Sequence, residues 1–125
     1  MTIRIYHNPA CGTSRTVLAT IRTAGEQPEV VEYLTAGWTR AQLERLFAAA
    51  RLRPREALRA KSDFAAELGL LEPGVSDDAI LVAMVRHPIL VERPIVVSAK
   101  GAALCRPADK VLALLANPPA KVVRS

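Results

Sequence analysis

The sequence predicts an α/β protein: a mixed four-stranded sheet flanked by helices, with a helical insertion between the second and third strands. Three observations carry that prediction. A strand pattern, a helix pattern and a second strand pattern follow one another within residues 2–34. Residues 39–87 then carry helix signals and no strand signal. Two further strand runs, residues 94–98 and 102–105, flank a turn at Ala99-Lys100-Gly101, which reads as an antiparallel hairpin.

The first strand lies in Thr2-Ile3-Arg4-Ile5-Tyr6, where polar and apolar side chains alternate, the period of a half-buried strand. Asn8-Pro9 turns the chain. Val17, Leu18 and Ile21 then fall on one helical face, and Gly25 stops that helix. Thr13 or Ser14 is placed to cap it through a side-chain oxygen. Val30-Val31-Glu32-Tyr33-Leu34 is the second strand. Strand, helix and strand in that order imply a right-handed parallel crossover.

Thr39 opens the next helix with Gln42 three residues on, the pattern of a capping box. Leu43, Leu46, Phe47 and Ala50 form its buried face. Pro54 suits the first turn of a helix running to about Lys61. Ser62 caps a short helix that stops at Gly69. Ser76 caps another with Asp77 and Asp78 in its first turn, where the macrodipole favours them. Ile80, Leu81, Met84 and Val85 face inward there, and His87-Pro88 ends it. After the hairpin, Pro107 begins a last helix with Val111, Leu112, Leu114 and Leu115 facing in, ended by Asn117-Pro118-Pro119. Residues 1–117 thus read as one domain with its helical insertion at about 39–87. Residues 118–125 read as a flexible basic tail.

A chain of 125 residues, half of them hydrophobic, is long enough to bury a core, and that composition excludes disorder throughout. With five aromatic residues, the core rests on Leu, Val, Ile and Ala. No apolar run reaches the ~18 residues of a membrane-spanning helix. Arg4 and His7 interrupt any apolar secretory segment near the start. Two cysteines do not make a disulfide scaffold, and the cytoplasm is the expected compartment. Two His and two Cys at these spacings do not form a metal-ligand set. The net charge of +5 comes with 13 Arg and 4 Lys. Nucleic-acid binding, a compositional bias and an anion site all fit that total, and the total does not choose among them.

The chemistry concentrates in His7-Asn8-Pro9-Ala10-Cys11-Gly12-Thr13-Ser14-Arg15. Cys11 falls in the loop between the first strand and the N-terminus of the first helix. The first helical turn leaves backbone N–H groups unpaired and carries partial positive charge. A thiolate is stabilised there, so the cysteine pKa falls below its free value of about 8.5. The same N–H groups can hold an oxyanion against the sulfur, and His7 and Arg15 add positive charge. Cys11 as a small apolar filler is the weaker reading, because a filler needs no polar, glycine-containing loop with basic neighbours. Ser14 stands where a C-x-x-C motif would carry its second thiol. A covalent adduct on Cys11 must then be resolved from elsewhere. Cys105, between Leu104 and Arg106 in a predicted strand, reads as a packed core residue.

Two strands with a helical crossover, a helical insert, a hairpin and a closing helix resemble the thioredoxin fold. The resemblance implies a reactive cysteine between the first strand and helix, and a cis proline opening the third strand opposite it. Pro94 is the matching position. The loop from His7 to Arg15 resembles the active-site loop of the glutaredoxin-coupled arsenate reductases. His87-Pro88-Ile89-Leu90 with Arg93-Pro94-Ile95-Val96-Val97, and Leu104-Cys105-Arg106-Pro107, resemble two later signatures of that family. The resemblance runs from about Arg4 to Leu115.

The resemblance implies a role for each matching residue. Cys11 is the nucleophile that attacks arsenate. His7 and Ser14 lower its pKa by charge and hydrogen bonding. Arg59, Arg93 and Arg106 bind the oxyanion and the arsenic intermediates, Arg59 from a helix of the insert. No cofactor is bound, glutathione is a co-substrate, and glutaredoxin is the partner that removes it. Neither nucleic acid nor membrane is an expected partner. Two other readings stay open: an Spx-like transcription regulator that binds RNA polymerase, and a glutathione-dependent thiol reductase of another substrate. Regulators of that kind typically carry C-x-x-C, which this loop lacks.

Overall fold

The computed structural model describes residues 2–124. The chain falls into two compact units, residues 1–36 with 93–125, and residues 37–92. The second unit takes in the expected helical insertion.

The first unit is built on a sheet of four strands in the order β2-β1-β3-β4. These are β1 (Arg4–His7), β2 (Glu29–Glu32), β3 (Ile95–Ser98) and β4 (Gly101–Leu104). β2 runs parallel to β1, and β3 and β4 pair antiparallel in turn. The expected mixed four-stranded sheet is therefore present. Register sorts the side chains by face. Ile5 pairs with Val30 and Val96, and Val96 with Ala103. These residues share one core with Val17 and Ile21 of α1 (Gly12–Thr23), and with Val111, Leu114 and Leu115. Val17 and Ile21 are fully buried, each contributing roughly 1.5–3 kcal/mol by leaving water.

Register also fixes where the loops meet. Tyr6 lies opposite Ile95, and Ile95 opposite Leu104. The end of β1, the start of β3 and the end of β4 therefore share one end of the sheet. The Cys105 N–H donates to the Pro94 carbonyl at 2.9 Å, which carries the β3–β4 pairing one step further toward that end. The Arg93–Pro94 bond is cis, as expected, and so is Arg106–Pro107, which the sequence reading did not anticipate.

Several boundaries differ from the sequence reading. β2 stops at Glu32, and Tyr33–Ala36 forms a helical turn, α2. The turn takes Tyr33 to 1% exposure while Leu34 stays exposed, a division that suits a corner better than a longer strand. The expected closing helix is present as a 3-10 helix over Ala108–Leu114. The tail expected to be flexible is tied down over part of its length. Val122 packs against the core of the first unit, and the Val123 N–H donates to Thr20 Oγ1 at 2.9 Å. Ser125, the last residue of that tail, lies outside the described residues.

The second unit holds α3 (Arg40–Ala50), α4 (Pro54–Ala57), α5 (Asp63–Glu67) and α6 (Asp77–Arg86), then a 3-10 turn at Pro88–Leu90. Thr39 and Gln42 form the expected reciprocal cap of α3. Ser76 caps α6 by accepting from the Ala79 N–H. The helix expected from Pro54 to about Lys61 ends at Ala57. Leu58 turns extended and bridges Val91. The Arg59 N–H donates to the Leu90 carbonyl at 2.7 Å, and the Glu92 N–H to the Ala57 carbonyl at 2.8 Å. Those backbone bonds outcompete the next helical turn. Among the described residues, no helix is long and apolar enough to cross a membrane.

Candidate active site

The loop after β1 is held by its own polar groups. Asn8, 4% exposed, accepts the Ala10 N–H on Oδ1 at 2.9 Å and the Cys11 N–H on its carbonyl at 3.0 Å. Arg15 closes the outside by donating to the Pro9 carbonyl at 2.9 Å. These bonds set Cys11 in extended conformation at the N-cap of α1.

Cys11, not Thr13 or Ser14, is therefore the capping residue, which corrects the sequence reading. Ser14 is fully buried, and its hydroxyl is committed elsewhere. Ser14 Oγ accepts the Asn8 N–H at 3.1 Å and lies 2.6 Å from His7 Nδ1. Nδ1 and Oγ share one hydrogen bond: a neutral Nε2–H ring accepts the Ser14 proton there, and an Nδ1–H ring donates to the second lone pair of Oγ. Burial is the main cause that lowers the His7 pKa below 6.5, and the charges of Arg22 and Arg15 add to it against Glu32. The shift favours the neutral ring.

The charge at the sulfur comes from two arginines. Arg106 Nη1 lies 3.7 Å from Cys11 Sγ. Arg93 acts on the same sulfur by hydrogen bonding and by charge. Burial pushes the Cys11 thiol up; the Ser14 backbone N–H, Arg93 and Arg106 outweigh it, so its pKa falls below the ordinary value. No side-chain hydrogen bond closes the cap at Cys11. The Ser14 N–H acts instead as an oriented dipole of the first helical turn.

Arg93 is 8% exposed, and its Nε and Nη1 have no hydrogen-bond partner among the described residues. Buried N–H donors are seldom left unmatched. A guanidinium with open donors beside the Cys11 sulfur suits a tetrahedral oxyanion.

The structure thus gathers Cys11, Arg93 and Arg106 at one sheet end, with the His7–Ser14 pair behind the loop. Arg59 belongs to the second unit. It follows the end of α4 instead of standing on a helix, and its Nη1 pairs with Glu92 Oε1 at 2.8 Å. The sequence reading missed Asn8 as the anchor of the loop. Its signal was the Asn8-Pro9 pair, read only as a turn. Cys105 is fully buried, and burial pushes its thiol up to about 12. Among the described residues, no three His, Cys, Asp or Glu side chains are grouped to hold a metal ion.

A mixed four-stranded sheet, a cysteine heading α1 and a cis proline before β3 define a thioredoxin-like protein. The ArsC family model matches residues 6–114, and the chain belongs to the ArsC family. It is 60% identical to the arsenate reductase ArsI2 of Synechocystis sp. over 113 residues, which are 90% of this chain and 81% of that protein. It is 46% identical to the arsenate reductase of Escherichia coli (strain K12) over 113 residues, 90% of this chain and 80% of that one. Among solved structures it is similar to the arsenate reductase from Vibrio cholerae, with a TM-score of 0.87 and 40% identity. That match covers 92% of this chain and 98% of the other.

Proposed function

We propose that this chain reduces arsenate to arsenite through a covalent adduct on Cys11, with glutathione and glutaredoxin as reductants. The observation that carries the reading is the pair Arg93 and Arg106 at the Cys11 sulfur, with two buried Arg93 donors unmatched. The similarity to named arsenate reductases supports the choice of oxyanion.

Arsenate enters between the two guanidinium groups, which neutralise its charge and hold it near Sγ. The Cys11 thiolate bonds to arsenic, and one arsenic oxygen leaves as water after taking a proton from solvent. Arsenic stays at +5 in this step. The glutathione thiol then bonds to arsenic, and a second oxygen leaves as water. A glutaredoxin thiolate attacks the glutathione sulfur. The sulfur–sulfur bond forms, the sulfur–arsenic electron pair returns to arsenic, and arsenic falls from +5 to +3. Water replaces Cys11 on arsenic, arsenite leaves, and the thiolate is restored. An external thiol is required because Ser14 occupies the place of a second loop cysteine, and Cys105 is buried with a raised pKa.

Arg59 is proposed to bind the oxyanion as well, a role resting on family resemblance alone. The reading places the chain in the cytoplasm, where both reductants are kept reduced. The test is arsenic speciation by chromatography after incubation with arsenate, glutathione and glutaredoxin. Arsenite should form with both reductants and stop when either is withheld. Arsenite formed without added thiols, or none formed with both, would contradict the reading.

A further inference from the structure

A cavity of about 280 Å³ lies beside the first turn of α1. Its walls include Gly12, Thr13 and Thr16 from α1, Pro107 and Asp109 after β4, and Arg124 from the tail. Two of its borders continue directly into the site. Gly12 follows Cys11 in the chain, and Pro107 follows Arg106, whose Nη1 lies 3.7 Å from Cys11 Sγ. The third border is held in place. The Val123 N–H donates to Thr20 Oγ1, which itself donates to the Thr16 carbonyl at 2.8 Å. Val122 packs on the core below. The tail is thus fastened along α1 so that Arg124 forms a wall of the same cavity as Gly12.

The charges of this cavity differ from those of the oxyanion site. Arg93 and Arg106 are both cationic, whereas this cavity presents one carboxylate, Asp109, and one guanidinium, Arg124. Neither takes part in a salt bridge among the described residues. A compact dianion is repelled by Asp109. A zwitterionic peptide is matched, with its ammonium toward Asp109 and a carboxylate toward Arg124. An extended tripeptide spans about 10 Å, and one turn of helix rises about 5.4 Å. Gly12, Thr13 and Thr16 line the cavity along the first turn of α1, a length that a tripeptide covers.

Resting on the reading of Cys11 as a glutathione-dependent nucleophile, we propose that this cavity seats the peptide portion of glutathione. Arg124 receives a terminal carboxylate, Asp109 receives the γ-glutamyl ammonium, and the thiol is directed toward the adduct on Cys11. The tail is then part of the co-substrate site.

The test varies glutathione at saturating arsenate and glutaredoxin in wild type, Arg124→Glu and Asp109→Asn. The KM for glutathione should rise roughly five-fold in each variant, the size of one exposed charge contact. The KM for arsenate, and kcat at saturating glutathione, should stay at wild-type values. In parallel, unreactive S-methylglutathione is titrated into the wild-type chain while amide NMR shifts are followed. Thr13, Thr16 and Ala108 should move, and the Arg124→Glu protein should need more ligand for the same movement. Unchanged glutathione KM in both variants, or S-methylglutathione shifts that avoid α1 and residues 107–109, would overturn the proposal. A wild-type chain that forms no arsenite sinks the reductase reading instead, and the S-methylglutathione titration still decides whether the cavity takes the peptide.

Discussion

Arg106 Nη1 bridges the Cys11 sulfur at 3.7 Å and the Arg93 carbonyl at 3.1 Å. One nitrogen thus ties the Cys11 sulfur to the backbone that opens β3. Arg106→Lys keeps a positive charge but loses the planar fork that serves both contacts. Arg93→Lys likewise loses donors that have no other partner among the described residues. Each variant should raise the KM for arsenate or lower turnover by roughly ten- to a thousand-fold, the scale of a strong charge-assisted contact. Steady-state kinetics of the two variants check this. Near-wild-type behaviour in both would mean that the arginines serve the fold alone.

Cys11 alkylation should titrate below the free-cysteine value of about 8.5, because the Ser14 N–H, Arg93 and Arg106 outweigh burial. Iodoacetamide labelling across pH, with Cys11→Ser as the blank, reads the midpoint. The same shift bears on stability. A thiol whose native pKa is depressed binds fewer protons folded than unfolded between the two pKa values. Its stabilising contribution is complete above about 8.5 and is lost as pH falls through the native value. Urea unfolding of wild type and Cys11→Ser should therefore differ more at pH 9 than at low pH. Equal pH profiles for the two proteins would contradict the activated thiolate.

His7 gives the opposite end of the pH scale. It is 5% exposed, and burial is the main cause that lowers its pKa below 6.5. The unfolded chain binds a proton on this ring before the native protein does, so stability falls as pH drops from about 6.5 through the native value. His7→Gln, which keeps a hydrogen-bonding group beside the Ser14 hydroxyl, should flatten that part of the profile. Denaturant midpoints measured from pH 7.5 to 5 decide it. A wild-type midpoint that holds constant over that range would show that His7 does not resist protonation.

Cys105 is fully buried in the core shared with Ile5, Val17 and Val96. Cys105→Ser should lose about 1–3 kcal/mol of stability, the cost of burying a hydroxyl among apolar groups. Turnover with glutathione and glutaredoxin should survive in the folded fraction. Thermal melts alongside kinetics separate the two effects. A folded Cys105→Ser protein without activity, with a Cys11–Cys105 disulfide in wild type after arsenate treatment, would favour an internal thiol relay.

The four strands and the place of Cys11 were legible because local patterns agreed with the fold. Alternation in β1, helical spacing of Val17 and Ile21, and the turn at residues 99–101 each act within a few residues. The failures came where a distant partner decided. Leu58 leaves the helix because Val91 pairs with it 33 positions later, and propensity at Pro54 carries no trace of that. Ser14 looked like a cap because its type favours caps. Its hydroxyl went to His7 and Asn8, a contact made only once β1 and α1 are side by side. Val122 and Val123 read as tail because two valines mean little until Thr20 and the core lie beneath them. At the site, Arg93 and Arg106 were nominated by the family resemblance of their motifs, since 13 arginines in the sequence offered no choice by type alone. The antiparallel register of β1, β3 and β4 is what brings them to one sulfur.

The most direct test of Cys11 as the nucleophile resolved by external thiols is arsenate-dependent NADPH oxidation. Glutathione, glutaredoxin and glutathione reductase couple the reaction, and wild type is compared with Cys11→Ser. Wild type should consume about one NADPH per arsenite formed, and only with both glutathione and glutaredoxin present. Cys11→Ser should show no arsenate-dependent rate while melting as a folded protein. A folded Cys11→Ser protein that still reduces arsenate, or a wild-type rate indifferent to glutaredoxin, would contradict the mechanism.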